Sequence, residues 1–325
     1  MNKAEIKNKE LLNILGGVQN DGMTVFVMAE GQFRGAFYNG TRMINQMRAN
    51  QDLGILETYI LGQALLCAAL LIPTMKGKEH LTLTYETDGI CKGFVAEADS
   101  TGYVRGHLLQ DSIPLDKPLE SWDLSPFFGN CGTLTVQRIG EGMKTPMTSS
   151  VELQYKNIAL DLAYYFSQSE QIHTAFKTSI HFDKMGRVVG AGGMFLQVVP
   201  GAGGKSKISA QNENSGNENA AQIREELIER AERAVNAMPS IGTWFYEGGN
   251  REDVVYGLFR EFNPAAVLDR DVIFDCPCSE KSFIQRIKSL PKTELEDIIA
   301  TETFPLEVIC QNCKSKYYIS KEVLL

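Results

Sequence analysis

The sequence has no run of basic residues anywhere in its 325 positions, and 40 acidic against 32 basic side chains leave a formal charge of -8. Neutralising a nucleic-acid backbone needs clustered Lys and Arg, so a general nucleic-acid binder is excluded. A long hydrophobic run is missing too. The longest apolar stretch, Ala64 to Ile72, falls far short of the roughly 20 residues of a membrane helix and reads instead as part of a buried core helix. The opening segment, MNKAEIKNKELLNIL, mixes charges of both signs and lacks the apolar centre and small-residue cleavage site of a signal peptide, which predicts a cytoplasmic protein. Histidine is scarce. His80, His107, His173 and His181 are scattered, with no HxxxH spacing and no paired carboxylates beside them, so each reads as an ordinary surface or core side chain. No catalytic constellation stands out in residues 1–200, and an enzyme is not expected.

What is present is an ordinary globular composition, 43% hydrophobic, enough for a core and for about two domains. Residues 23–38 alternate as two strands, MTVFVMAE and FRGAFY, and Leu53 to Ile72 reads as helical. LTLTYE, KGFVAEA and YVRGHLL, broken at Asp88-Gly89 and Ser100-Thr101-Gly102, predict an antiparallel meander between Leu81 and Leu108. GTLTVQRI gives another strand before a loop with Pro146, and Ala159 to Phe166 a helix running into the polar SQSEQ. Phe176–Phe182 and Val188–Val199 then pair about the turn Asp183-Lys184-Met185-Gly186. The pattern is α+β with an antiparallel sheet, not repeating βαβ. This first domain is placed at 1–200.

Residues 201–219 are almost wholly Gly, Ser, Asn and small polar side chains, which cannot bury enough apolar surface to offset ordering entropy, and predict a flexible linker. A helical stripe follows at Ile223, Leu227, Ala231, Ala234 and Met238, with Glu226/Arg230 and Glu229/Arg233 spaced i,i+4 on the wet side. Such a helix needs a partner surface, and docking on the first domain is the commoner fate. The linker and helical region is placed at 201–269.

Four of the seven cysteines cluster in the remainder, 270–325: Cys276-Pro277-Cys278 and, 31 residues on, Cys310-Gln311-Asn312-Cys313. In a reducing compartment paired thiols are more often metal ligands or redox groups than permanent disulfides, and four thiolates are what tetrahedral zinc prefers. Between the pairs, Ser279 is placed to cap a helix with Phe283, Ile284, Ile287 and Leu290 on one face, stopped by Pro291, and Thr293 with Glu296 to form a capping box. KSKYYI reads as a strand returning beside the EVI before Cys310, which sets CQNC at a hairpin tip. A zinc ion here would supply most of the folding energy of a tail with little core, since such sites contribute roughly 10 to 16 kcal/mol in small peptides. Two readings of the site remain open. One is a permanent structural zinc ribbon. The other is a thiol switch, because a disulfide across the single residue of CxC closes a small strained ring, and strained disulfides are the labile ones, while zinc keeps its thiolates in the form an oxidant attacks.

The spacing CxC, about thirty residues, CxxC at a C-terminus resembles the heat shock protein 33 family of redox-regulated chaperones. VAEADSTGYVRGHL (Val95 to Leu108), YYFSQSEQ (Tyr164 to Gln171) and AGGMFLQVVPGA (Ala191 to Ala202) resemble its signatures in order and spacing. The resemblance implies an ATP-independent holdase, inactive when reduced with one Zn(2+) per chain on Cys276, Cys278, Cys310 and Cys313. It implies that oxidation pairs Cys276 with Cys278 and Cys310 with Cys313, releases zinc and loosens the linker, so that unfolding client proteins are held under oxidative stress. It also implies a homodimer when oxidised, and neither nucleic-acid nor membrane partners. Pro277 stands where the family usually has a polar residue, and the polar insert at 203–219 is longer than typical; both bear on switching kinetics. The alternative is a zinc-stabilised interaction module that never switches.

Two glycine motifs are set aside. Gly204-Lys205-Ser206 lacks the earlier Gly of a phosphate-binding loop, Val199 standing there. Gly190-Ala191-Gly192-Gly193 falls inside a strand pattern, where close backbone packing or a bulge explains it. Cys67, Cys91 and Cys131 are expected to be small packing residues outside any switch.

Overall fold

The structure is a computed structural model that describes residues 1–115, 117, 119, 121–201 and 216–325. The chain opens with α1 (Lys9–Gly17), the hairpin β1 (Gly22–Met28) and β2 (Phe33–Asn39), then α2 (Thr41–Gln51) and α3 (Ile55–Leu70). The meander follows as β3 (Glu79–Thr87), β4 (Gly93–Asp99) and β5 (Tyr103–Leu108). After it come α4 (Ser125–Phe128), β6 (Gly132–Gly140), β7 (Met147–Glu152), α5 (Ile158–Tyr165), β8 (Thr174–Phe182) and β9 (Val188–Val198). Next are α6 (Gly216–Ala237), α7 (Ile241–Tyr246), α8 (Arg251–Leu258), β10 (Ala265–Arg270) and β11 (Ile273–Phe274). The tail holds α9 (Glu280–Lys288), α10 (Lys292–Thr301), β12 (Leu306–Ile309), β13 (Lys316–Ile319) and α11 (Lys321–Leu324). The protein is therefore α+β with antiparallel sheets and a small cysteine-bearing tail.

Two sheets form the body: a five-stranded one ordered β10-β1-β2-β9-β8 and a six-stranded one ordered β11-β5-β4-β3-β6-β7, antiparallel except where β11 joins β5. Helix α3 packs against β4 and β5 of one and β8 and β9 of the other. Its apolar span Ile55–Thr74 is long enough to cross a membrane by length and composition, yet 83% of it is buried here, so it is the core helix expected. Strand alternation sets the faces of the meander. Leu81, Leu83, Tyr85, Phe94, Ala96, Ala98, Val104 and Leu108 point into the core, which leaves Glu97, Arg105 and His107 on the opposite face by the two-residue period.

The other face of the five-stranded sheet carries a second apolar cluster. Phe26, Met28, Phe33, Phe37, Met194, Leu196 and Val198 meet Ala231, Val235 and Met238 of the α6 segment, Ile241 and Phe245 of α7, and Val254, Val255, Phe259 and Phe262 beyond. The expected helical stripe is thus docked: Ala231 and Met238 are buried in the contact, Leu227 and Ala234 pack against it, Val235 joins them, and Ile223 stays out, 65% exposed. Of the two expected i,i+4 pairs, Glu229–Arg233 is present at 3.6 Å, while Arg230 bonds Glu261. The expected linker at 201–219, with the Gly204-Lys205-Ser206 triplet, lies mostly outside the described residues; α6 already begins at Gly216. The Gly190–Gly193 run lies within β9, where Gly190 lets α7 approach so closely that an added Cβ would sit 2.0 Å from Gly242 O.

Candidate metal centre

The path of the chain delivers the cysteines. β10 pairs antiparallel with β1, and β11 then crosses to the other sheet beside β5, where Ile273 N donates to Gly102 O and Asp275 N to Val104 O. Val272 and Phe274 are buried there, and Tyr38 Oη donates to Val272 O at 2.9 Å. Cys276 therefore arrives at the outward face of β5. Directly after Cys278, Ser279 caps α9, its Oγ accepting from Ser282 N while Ser282 Oγ accepts from Ser279 N. The second expected cap does not form: α10 starts at Lys292 with Pro291 at the cap position, so Thr293 and Glu296 lie inside its first turns and not at its start.

Antiparallel β12 and β13 close a hairpin over Cys310 and Cys313, as the KSKYYI reading expects. Lys314 N donates to Cys310 O at 2.7 Å and Cys310 N to Ser315 O at 2.9 Å, with Lys314 in the left-handed region at φ 53. This tight turn aims both sulfurs to one side, toward the CxC segment.

All four Sγ atoms lie within 4.8 Å of one another, with Cys276 to Cys310 at 3.7 Å and Cys278 to Cys313 at 3.4 Å. Two thiolates bound to one zinc at about 2.3 Å in tetrahedral geometry stand about 3.8 Å apart, so the set fits that ion. A disulfide needs about 2.05 Å, so these are free thiols. Cys276, Cys310 and Cys313 are buried and Cys278 partly so, and the first three join the main apolar core. The thiols of Cys310 and Cys313 and the Arg105 guanidinium converge on Cys276 and pull its pKa far below the usual thiol range. Cys310, crowded by the charge gathering on Cys276, is pushed up in compensation. Such a cluster resists carrying four negative charges alone, which is the electrostatic condition that a bound dication relieves.

Polar side chains surround the sulfurs. Tyr317 Oη donates to Cys278 O at 3.0 Å and lies 3.1 Å from Cys278 Sγ, with its ring packed 5.4 Å from Phe283. Ser315 Oγ lies 3.2 Å from Cys313 Sγ and accepts from Asn2 N. From the body, Arg105 Nη1 donates to Cys276 Sγ at 3.5 Å, and Asn50 Nδ2 to Cys313 O at 3.2 Å. His107, expected to be a bystander, has its Nδ1 2.7 Å from Asn312 Oδ1. Its only sequence signal is the strand alternation that puts it on the same face as Arg105. Of the other thiols, Cys67 and Cys91 are buried as expected, whereas Cys131 is exposed at a strand mouth and does not pack.

A model of the Hsp33 protein family matches residues 21–320. A curated 33 kDa chaperonin of Caldanaerobacter subterraneus is 30% identical over 285 residues, covering 86% of this chain and 88% of its own. One from Streptococcus uberis is 26% identical over 295 residues, covering 90% and 93%. The crystal structure of the 33 kDa chaperonin (heat shock protein 33 homolog) of Thermotoga maritima superposes with a TM-score of 0.77 at 28% identity, covering 94% of this chain and 97% of that one.

Proposed function

The chain belongs to the Hsp33 family of stress-response chaperones, and from that premise we propose that it is a redox-regulated holdase, held inactive while reduced. Cys276, Cys278, Cys310 and Cys313 would hold one zinc ion per chain, and the observation that carries the reading is their convergence within 4.8 Å as free thiols. When bound, the ion supplies a cross-link between CxC and CxxC and keeps four sulfurs as thiolates, ready to be oxidised.

A peroxide is a sufficient oxidant. For each disulfide, two thiolates would give up two electrons, and one hydrogen peroxide, taking two protons from solvent, would leave as two waters. Pairing Cys276 with Cys278 and Cys310 with Cys313 would use all four donors within their own segments and remove the sulfur-mediated cross-link between the segment after β11 and the hairpin. The tail then loses its central cross-link, and the cover of α6 to α8 over Phe26, Phe33, Phe37 and Met194 becomes the next element to loosen. That face is the candidate surface for unfolding clients, because it is broad, apolar and currently filled by helices of the same chain. No nucleotide is consumed in the cycle, and no covalent bond of the client is made or broken. We place it in the reducing cytoplasm, with the oxidised form a homodimer, residues 1–200 holding clients, 201–269 covering them, and 270–325 sensing oxidant.

The test measures zinc content, free thiols and suppression of client aggregation, before and after peroxide with mild heating. Loss of about one zinc per chain with the four tail thiols, together with the onset of holdase activity, supports the switch. Zinc retained and aggregation unchanged would leave the non-switching module instead.

A further inference from the structure

Between the cysteines and the body runs a closed polar circuit. Glu97 on β4 accepts from Arg105 Nε at 2.8 Å and His80 Nε2 at 3.0 Å through one oxygen, and from Asn312 Nδ2 at 3.1 Å through the other. A carboxylate only accepts, so it fixes which end of the Asn312 amide faces it. The other end, Oδ1, then accepts from His107 Nδ1, and Gln51 Nε2 bridges Asn312 O at 2.9 Å and Gly106 O at 2.8 Å. Every polar group that Asn312 presents to the body is engaged. Arg105 completes the circuit by reaching Cys276 Sγ. One end of the circuit thus grips CxC through a sulfur. Its other end grips CxxC through the residue immediately before Cys313.

We propose that Arg105, Glu97 and Asn312 form a clamp that makes occupancy of the four-thiol site and docking of the tail on β4 and β5 a single linked equilibrium. The inference rests on the zinc reading above and adds the residues through which the site is connected to the body. The physical ground is reciprocity. Whatever holds the CQNC turn closed holds Asn312 in reach of Glu97 and His107, and by linkage the closed clamp raises affinity at the thiols by the same factor. Arg105 contributes a second effect, because four thiolates around a dication leave net negative charge that a guanidinium beside Cys276 offsets. A simple structural contact would steady the tail but leave the strands of the body indifferent to metal.

The test uses reduced full-length protein. Zinc affinity is read by competition with a chromophoric chelator, and amide hydrogen exchange in residues 93–108 is followed with and without zinc. Asn312→Ala and Glu97→Gln are each expected to weaken zinc binding by about 10-fold or more, the size usual for groups that orient metal ligands. Glu97→Gln is isosteric and lies on a body strand, so it reaches the same clamp if Asn312→Ala disturbs the turn. The double variant should be no more than about twofold weaker than the worse single, since both break one circuit. Stripping zinc should speed exchange in β5 of the wild type, and zinc-loaded Asn312→Ala should already exchange at the stripped rate. Affinities within about twofold of wild type, losses that multiply in the double variant, or exchange in β5 that ignores zinc would each overturn the clamp while the zinc reading stands. A wild type that binds no zinc would defeat both.

Discussion

Lys177 Nζ donates to Met238 O at 2.6 Å and to Val235 O at 3.3 Å, so a cation on β8 sits at the C-terminal end of α6. Val235 O also accepts from Met238 N at 3.3 Å, and the carbonyls at this end carry the negative end of the helix dipole. Lys177→Met keeps the aliphatic stem and removes the charge. The last turn of α6 is expected to loosen by about 1 to 2 kcal/mol. Hydrogen exchange across 231–238 should rise while β3 to β5 stay protected, and the peroxide dose needed for holdase activity should fall. Unchanged exchange in that turn would show that the apolar contacts of Ala231 and Val235 suffice alone.

Gly190 and Gly242 form the closest approach between α7 and the sheet. A Cβ on Gly190 would meet Gly242 O at 2.0 Å, and one on Gly242 would meet His181 N at 2.7 Å. Backbone cannot yield as a flexible side chain does, so α7 must lift and take Phe245 off Phe37, whose rings now stand 5.6 Å apart. Gly190→Val is expected to cost about 3 kcal/mol and to raise bis-ANS fluorescence in the reduced protein. Gly16→Ala, where nothing lies within 4 Å, should do neither. Equal dye binding by the two variants would sink the argument.

The cysteine set could be read from the sequence because its information is local: residue type, spacing and a hairpin pattern on either side. The same holds for β3 to β5, whose alternating Leu81, Leu83 and Tyr85 declare a buried face, and for α3. What covers the opposite face was not legible. Asn312 and Glu97 are 215 positions apart, and a period of two says which way Glu97, Arg105 and His107 point without saying what they meet. β7 and β10 escaped for a different reason. Both are edge strands with little buried, so Met147–Glu152 and Ala265–Arg270 carry almost none of the burial signal that marks a strand. The α6 stripe was legible from Leu227 to Met238, and it departs from the sequence reading only where Ile223 is apolar yet exposed and where Val235, one position beyond Ala234, joins the contact.

Helices α9 and α10 contain no fully buried residue, and the buried part of the tail is chiefly cysteine, with Ile319 and Leu324. Such a segment has too little apolar burial to offset its ordering entropy without a cross-link. Chelation under reducing conditions is therefore expected to abolish exchange protection across residues 276–319 while β1, β2 and β9 keep theirs. Protection that survives complete zinc removal would mean that the hairpin and its docking contacts fold the tail unaided.

The three remaining thiols should separate cleanly under alkylation. Burial pushes Cys67 up to about 12 and raises Cys91, so neither offers thiolate or access near neutral pH. Cys131 is exposed. Brief iodoacetamide treatment of reduced, zinc-loaded protein should label Cys131 first, leaving Cys67, Cys91 and the four tail sulfurs. Mass spectrometry that finds Cys278 labelled as fast as Cys131 would indicate that the tail site is open while reduced. A Cys131→Ser variant should switch normally, because it lies outside the four-thiol cluster.

Glu97 links the docking of the tail to acid. Burial alone would raise its pKa, but the hydrogen bond from His80 and the Arg105 guanidinium outweigh burial and hold it at about 2, against an ordinary 4.5. A carboxylate depressed on folding adds stability that is fully present above its unfolded pKa and disappears as pH falls through the folded one. The window is therefore from 4.5 down to about 2, and the contribution at stake is on the order of 3 kcal/mol. Urea unfolding of wild type and Glu97→Gln across that range should show a gap that is constant above pH 4.5 and closes as pH falls. A gap independent of pH would mean that Glu97 acts through shape and hydrogen bonding alone, with its charge already balanced in the unfolded chain.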